Sequence, residues 1–123
     1  MLLVALVAAG CGPGIDREAT LTRLRSAIEE DVGDPTVLEE HNRVVEDVVR
    51  GNVLDGMRQH EVEERLGRGQ QCGTRDICAR RSCRPSDWVY EVGRRDGLPA
   101  GPTLVVCFDR QGIFDGAYYL TRR

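Results

Sequence analysis

Histidine, cysteine and paired carboxylates are the side chains of this 123-residue chain that could take part in chemistry. The chain has two histidines, and a catalytic histidine would need an acid or a nucleophile placed beside it. His41 lies on the apolar stripe of a helical pattern, which favours a buried and hydrogen-bonded histidine. His60 lies near the start of another helical pattern and is expected to face solvent. Neighbouring carboxylates such as Glu63 and Glu64 point apart on a helix. We therefore expect no enzyme, no catalytic residue and no cofactor.

The N-terminal residues end in a cysteine that could carry a lipid. An uncharged apolar run over residues 2–7 is followed by Ala8, Ala9, Gly10 and then Cys11. This order resembles a bacterial lipoprotein signal. The run is much shorter than the ~20 apolar residues that span a bilayer, which argues against a transmembrane helix. The alternative is an ordinary buried N-terminal segment.

The resemblance implies the location of the protein as well as its processing. Residues 1–10 would be the signal peptide, Cys11 the lipidated and palmitate-bearing N-terminus, and residues 11–15 the tether. Gly12 follows the cysteine, where an Asp would favour retention at the inner membrane in Gram-negative lipoproteins. The resemblance therefore implies an outer-membrane anchor, with the folded part facing the periplasm.

Four cysteines remain if Cys11 is lipidated, and they are Cys72, Cys78, Cys83 and Cys107. An even number in a small exported domain predicts two disulfides. A four-cysteine zinc site is the competing interpretation. Zinc ligands usually occur as closely paired cysteines, whereas here the intervening gaps are five, four and 23 residues. We expect two disulfides and no metal, with three pairings possible.

Charge is distributed unevenly along the chain. Residues 11–66 contain 14 acids and 7 arginines, and residues 67–123 contain 6 acids and 10 arginines. This excess is too small to predict nucleic-acid binding. A cluster of four arginines in the second half is the candidate contact surface for a partner, and it consists of Arg75, Arg80, Arg81 and Arg84. The alternative is an ordinary solvated loop, because exposed arginine is common.

The first half of the folded part has the periodicity of helices. Leu21, Leu24, Ile28 and Val32 follow at intervals of three or four residues, and Gly33 is expected to end this helix. A second helix should begin at the Asp34–Pro35 pair, an N-cap followed by proline, and end near Gly51. A short third helix is expected over residues 59–66. Residues 16–52 form the predicted amphipathic helical segment.

The second half alternates like strands. Strands are expected over residues 88–92, 103–109 and 113–120, with loops over residues 67–85 and 93–102. Trp88, Tyr90 and Val92 should share one face, and Val105 and Cys107 should lie opposite Leu104, Val106 and Phe108. The predicted fold class is α+β, with N-terminal helices packed on a three-stranded antiparallel meander in two layers.

One motif resembles a known family. Gly56, Met57, Val62, Leu66 and Gly67 match the Gly-Met-x-x-x-x-Val-x-x-x-Leu-Gly signature of the SmpA/OmlA, or BamE-type, outer-membrane lipoproteins. The later strand, long loop, strand and Asp/Gly turn are also similar to that family. The resemblance implies a BamE-like α+β domain over residues 53–123. It also implies a protein partner, with the outer-membrane assembly machinery as the candidate, beside the membrane bound through Cys11.

The secreted β-lactamase-inhibitor proteins share this small fold and have a disulfide after the Leu-Gly pair. By that likeness Cys72 would pair with Cys83, which leaves Cys78 for Cys107. It also implies the alternative function, an inhibitor-like domain that docks its sheet on a secreted or periplasmic enzyme. The first expectation remains a non-enzymatic lipoprotein that binds a protein partner in outer-membrane protein assembly or envelope maintenance.

Overall fold

The structure, a computed structural model, describes residues 16–122, so Cys11 and the predicted signal peptide lie outside the described part. The helices are α1 (Arg17–Glu29), α2 (Pro35–Arg50), α3 (Gln59–Leu66) and α4 (Asp76–Ala79). The strands are β1 (Gln70–Gln71), β2 (Trp88–Glu91), β3 (Arg94–Arg95), β4 (Leu98–Pro99), β5 (Thr103–Phe108) and β6 (Phe114–Leu120). The fold is α+β, with helices followed by an antiparallel sheet, as predicted.

Helix α1 begins at a side-chain cap and ends earlier than the sequence suggested. The Asp16 carboxylate accepts a hydrogen bond from the Ala19 N–H at 3.1 Å, which satisfies one free amide of the first turn. We expected Gly33 to end the helix, but it ends at Glu29. The following residues are extended because they pair with Arg94. The Val32 N–H donates to the Arg94 carbonyl, and the Arg94 N–H donates to the Glu30 carbonyl.

Helices α2 and α3 agree with their predicted boundaries. The Asp34 carboxylate accepts from the Thr36 N–H at 2.7 Å, and Pro35 occupies the first turn of α2, where no amide partner is needed. Helix α3 begins after Arg58, whose N–H donates to the Glu61 carboxylate at 2.8 Å. It ends at Gly67, which has a positive φ of 84°.

The main sheet has four strands in the order β1-β2-β5-β6, all antiparallel. The prediction of three strands was therefore not exact, because β1 adds two residues at the β2 edge. Gln70 and Gln71 are both exposed, so the sequence lacks the apolar alternation that reveals a strand. Strand β6 forms the other edge and pairs with β5 from Leu120 to Phe114.

A second small sheet lies within the region predicted as a loop over residues 93–102. Strands β3 and β4 pair as a hairpin. Its turn residues Asp96 and Gly97 both have positive φ, at 54° and 78°. An Asp-Gly turn of this kind matches the twist of a two-stranded ribbon, so the hairpin has a local sequence cause that alternation alone does not reveal.

The inner face of the sheet packs against α1, α2 and α3. Trp88, Tyr90 and Val92 share this face, as predicted, with alternate residues of β5. Leu21 and Leu24 of α1 belong to the same apolar cluster, so the helical segment and the sheet bury one continuous core. The completely buried part of that core includes Leu21, Leu24, Leu54, Leu104, Val45, Val48, Val53, Val62, Val92 and Val106.

Candidate contact surface

The outer face of the sheet is covered by a loop that two disulfides fix in place. Val89 and Val105 are completely buried there, together with Cys72, Cys78 and Cys107. Helix α4 lies in this loop, which we had expected to be without regular structure. The covering segment is only partly apolar, so covalent bonds hold it where packing alone would be weak.

The cysteines form two disulfides, as expected, but in a different pairing. Cys72 bonds to Cys78, and Cys83 bonds to Cys107. The pairing implied by the inhibitor likeness, Cys72 with Cys83, was wrong. The turn of α4 returns Cys78 to within a Cα–Cα distance of 6.0 Å of Cys72, and Cys83 then lies over β5 beside Cys107.

Cys83 and Cys107 also bear on the zinc alternative. Their sulfurs and a carboxylate oxygen of Asp87 lie within 4.8 Å of one another. The two sulfurs are bonded to each other, and Asp87 accepts backbone hydrogen bonds from Arg84 at 2.7 Å and Phe108 at 3.0 Å. The group is a disulfide beside a buried, hydrogen-bonded carboxylate, so its sulfurs are not free thiolate ligands.

Two of the four predicted surface arginines hold the fold together. The Arg84 guanidinium donates to the carbonyl oxygens of Phe108 and Asp109, at 2.7 Å each. The Arg75 guanidinium donates to the Gln70 amide oxygen at 2.6 Å and lies 3.6 Å from the Glu91 carboxylate. These two side chains therefore connect the disulfide loop to the sheet.

The other two arginines lie on an exposed corner beside α4 and β6. Arg80 pairs with Asp76 at 2.6 Å, and both side chains are about three quarters exposed. The Arg81 guanidinium lies over the Tyr118 ring, 4.9 Å from its centre, in a cation–π contact. Among the described residues, Arg81 forms no ion pair.

A cavity adjoins these arginines, and its lining combines Ile77 and residues of β6 with the charged Asp76, Arg80 and Arg81. It has a volume of about 310 Å³, and Leu120 at its rim is 61% exposed. We call this surface the Arg81 corner and define it as Ile77, Arg80, Arg81, Tyr118 and Leu120. The sequence predicted the two arginines of this surface but not Ile77, Tyr118 or Leu120. Alternation along the third predicted strand is the signal that could have placed Tyr118 and Leu120 on one face.

His41 is buried and engaged at both ring nitrogens. Its Nε2 lies 2.7 Å from the Glu30 carboxylate, and its Nδ1 lies 3.2 Å from the Val92 carbonyl oxygen. Ser26 lines the same groove between α1 and α2, which has a volume of about 460 Å³. Neither nitrogen is left to activate that hydroxyl, so this groove lacks the geometry of a nucleophile and its base.

His60 lies at the surface, and the residues of the family-like motif lie in the core or at turns. His60 is exposed, as expected. Val62 and Leu66 are buried against the sheet, and Met57 is 6% exposed. Its carbonyl accepts a hydrogen bond from the Phe114 N–H at 2.8 Å, which fixes the entry to α3 against β6. Gly56 has a positive φ of 78° in the turn before Met57. These positions agree with folding roles.

Within residues 16–122, no helix is both long enough and apolar enough to cross a membrane. The chain matches none of the family models, curated proteins or solved structures with which it was compared.

Proposed function

We propose that this protein is a periplasm-facing lipoprotein that binds a protein partner and performs no catalysis, in outer-membrane protein assembly or envelope maintenance. The observation that carries partner binding is the Arg81 corner. A guanidinium stacked on a tyrosine lies there beside an exposed leucine and a cavity that Ile77 helps to line. Aromatic rings, arginine and exposed apolar groups in one place are the composition of interface hot spots.

The anchor and the compartment are supported by the sequence and by the disulfides. Cys11 ends a lipoprotein-like signal, and the other four cysteines bond in pairs. Disulfides of this kind persist in an oxidising compartment such as the periplasm. The BamE-like motif adds a family in which a small anchored domain binds other envelope proteins, so we propose the outer-membrane assembly machinery as the partner.

The inhibitor-like alternative has less structural support. An inhibitor that docks through its sheet needs an accessible sheet face. Here the helices cover the inner face, and the disulfide loop covers Val89 and Val105 on the outer face. Among the described residues, the Arg81 corner is the exposed part of the sheet that we propose for docking, so an enzyme partner would bind there as any other partner would.

Site-specific photo-crosslinking in intact cells tests this proposal. A photoreactive amino acid at position 120 should form an adduct with an assembly-machine subunit. Leu98 is 68% exposed on the β3–β4 hairpin, so the same probe at position 98 is the matched control and should give no such adduct. An adduct with a single hydrolase would favour the inhibitor alternative, and equal labelling from both positions would contradict the Arg81 corner as the contact surface.

Mass spectrometry of the mature protein tests the anchor separately. We expect an N-terminus at Cys11 that carries diacylglycerol and a fatty acyl chain. Replacement of Cys11 with serine should abolish the lipid and release the protein from the membrane fraction. An uncleaved N-terminus, or membrane association that survives the substitution, would contradict the lipoprotein proposal without bearing on the Arg81 corner.

A further inference from the structure

Strand β6 presents backbone hydrogen-bonding groups that no other described strand uses. Strand β5 lies between β2 and β6, so its successive residues direct their backbone groups to the two neighbours alternately. The Phe108 N–H donates towards β2, to Asp87, and the Pro102 carbonyl accepts from Val92 on the same side. The residues of β5 that face β6 are therefore Thr103, Val105 and Cys107.

The register then shows which groups of β6 face outward. Thr103, Val105 and Cys107 pair with Leu120, Tyr118 and Gly116. The intervening residues, Ala117 and Tyr119, direct their N–H and C=O groups away from the sheet. Among residues 16–122, no backbone or side-chain hydrogen bond reaches these four groups from another element.

The first residue of β6 already has a backbone partner outside the sheet, which limits the length of the open edge. The register shifts at the Cys107–Phe108 step, so Asp115 is left without a partner in β5. Beyond this bulge the Phe114 N–H turns outward and donates to the Met57 carbonyl. Bulges and covering segments are the usual means by which proteins shorten an exposed edge. The open edge is therefore confined to residues 116–120, directly beside the Arg81 corner.

We propose that the partner protein adds an extended segment of about five residues to this open edge, with an apolar and an acidic side chain on the outer face. This inference rests on the proposed function, because it specifies how the partner binds. An extended backbone is the structure that supplies alternating donors and acceptors to Ala117 and Tyr119. Residues opposite each other on paired strands share a face, so two partner side chains lie beside Tyr118 and Leu120.

The chemistry of these two side chains follows from what they would contact. The one opposite Leu120 adjoins the part of the cavity that Ile77 and Leu120 line and is therefore apolar. The one opposite Tyr118 lies below Arg81, whose guanidinium has no carboxylate partner in the described chain. A carboxylate at this position completes an ion pair with hydrogen bonds. In an antiparallel segment the apolar residue comes first, and the acidic residue follows two positions later.

A second copy of this chain fits the edge less well. Its β6 could pair in an antiparallel register centred on Tyr118, which would bring the two Tyr118 side chains together. Each tyrosine carries an arginine on its ring, so this register would bring the two guanidinium groups towards each other. Like charges that face each other across paired strands are destabilising.

The test uses the full-length protein, with its disulfides formed, and the probe peptide acetyl-Thr-Leu-Thr-Glu-Thr-amide. At saturating peptide, amide hydrogen exchange should slow at least tenfold at Ala117 and Tyr119 and stay unchanged at Tyr118, which already bonds within the sheet. A peptide N-methylated on the backbone amides that face β6 should give no protection. A peptide with lysine in place of glutamate should bind about fivefold more weakly, as for an exposed ion pair.

Variants of the protein distinguish backbone pairing at the open edge from the contacts of individual side chains. Arg81→Gln should weaken binding of the glutamate peptide about fivefold, and it should not weaken binding of the lysine peptide. Leu120→Ser should weaken the binding of both peptides. Leu98→Ser, at the matched exposed leucine, should leave the binding of both unchanged. Circular dichroism of each variant checks that the fold is retained.

Three results would overturn strand addition. One is the absence of protection at Ala117 and Tyr119, both with this peptide and with peptides selected on the protein from a random seven-residue library. Another is equal protection by the N-methylated peptide. The third is concentration-dependent protection without any peptide, which would identify a second copy as the occupant. A crosslink from position 120 without edge protection would leave partner binding standing and reject strand addition alone.

Discussion

The two faces of the main sheet are covered by different means. The inner face is covered by three helices and a large cluster of buried aliphatic and aromatic side chains. The outer face is covered by a loop with one helical turn, and three of the five buried residues there are cysteines. The inner cover is stabilised by apolar burial, whereas the outer cover depends on covalent bonds. The outer cover reaches β6 at Tyr118, where Arg81 lies over the ring, and it leaves Leu120 exposed beside the open edge.

The largest expected effect comes from the inner face. Leu104 and Val105 are adjacent, completely buried and on opposite faces. Leu104→Ala should lower the free energy of unfolding by about 4 kcal/mol, because it leaves a cavity in the large core. Val105→Ala should cost about 2 kcal/mol, since fewer carbon atoms are removed beneath a thinner cover. Urea denaturation measures both, and a larger loss at Val105 would contradict the comparison.

The disulfides should contribute unequally to the outer cover. Cys83–Cys107 closes a sequence separation of 24 residues, and Cys72–Cys78 closes only six. Chain-entropy estimates give about 3.5 kcal/mol for the longer loop and about 2.4 kcal/mol for the shorter one. Replacing each pair with alanine tests this order by chemical denaturation. If the Cys72/Cys78 variant proved the less stable, loop closure would not be the main contribution.

A smaller effect is expected at Tyr90 on the inner face. Burial raises the pKa of Tyr90 well above its ordinary value of 10, and the nearby Glu63 charge adds to the shift. Its hydroxyl donates to the Gly67 carbonyl at 2.7 Å. In the unfolded chain the phenol ionises near pH 10, while the folded protein retains the proton. The contribution of Tyr90 to the free energy of unfolding should therefore be fully present below pH 10 and be lost as the pH rises above it.

The Tyr90→Phe variant isolates this contribution. At neutral pH it should lose about 1 kcal/mol through the missing hydrogen bond. Above pH 10 its stability should fall less steeply than that of the wild type. Urea denaturation at several pH values measures both effects. Identical alkaline slopes for the variant and the wild type would show that Tyr90 does not govern the alkaline loss.

The smallest effect on stability is expected at the two exposed leucines. Leu120→Ser and Leu98→Ser should each change the free energy of unfolding by about 0.5 kcal/mol or less, because neither side chain is buried. Thermal denaturation measures this directly. A large loss for Leu120→Ser would mean that Leu120 supports the outer cover and is not a free contact residue.

Strong periodicity and local caps explain which elements could be predicted. Helix α2 begins at an Asp-Pro pair and carries a long apolar stripe, and α3 ends at a glycine. Both helices therefore have local causes. The end of α1 was missed because residues 30–32 pair with Arg94, far along the chain. Strand β1 was missed for a similar reason, since its pairing with β2 leaves no apolar pattern in Gln70 and Gln71.

The candidate site was predicted only in part. The sequence identified an arginine-rich loop between cysteines, which is a local feature of composition. It could not separate Arg84 from Arg81, because the difference lies in what each guanidinium contacts. One binds carbonyl groups at the end of β5, and the other stacks on Tyr118 of β6.

The sequence by itself determined the helices and long strands, the α+β class and the presence of two disulfides. These depend on periodicity, caps and cysteine number, which are properties of short segments. The tertiary structure alone decided the cysteine pairing, the contacts of each loop arginine and the open edge at Ala117 and Tyr119. The physical reason is that each of these depends on register and contact between segments far apart in the chain, where local preference has no influence.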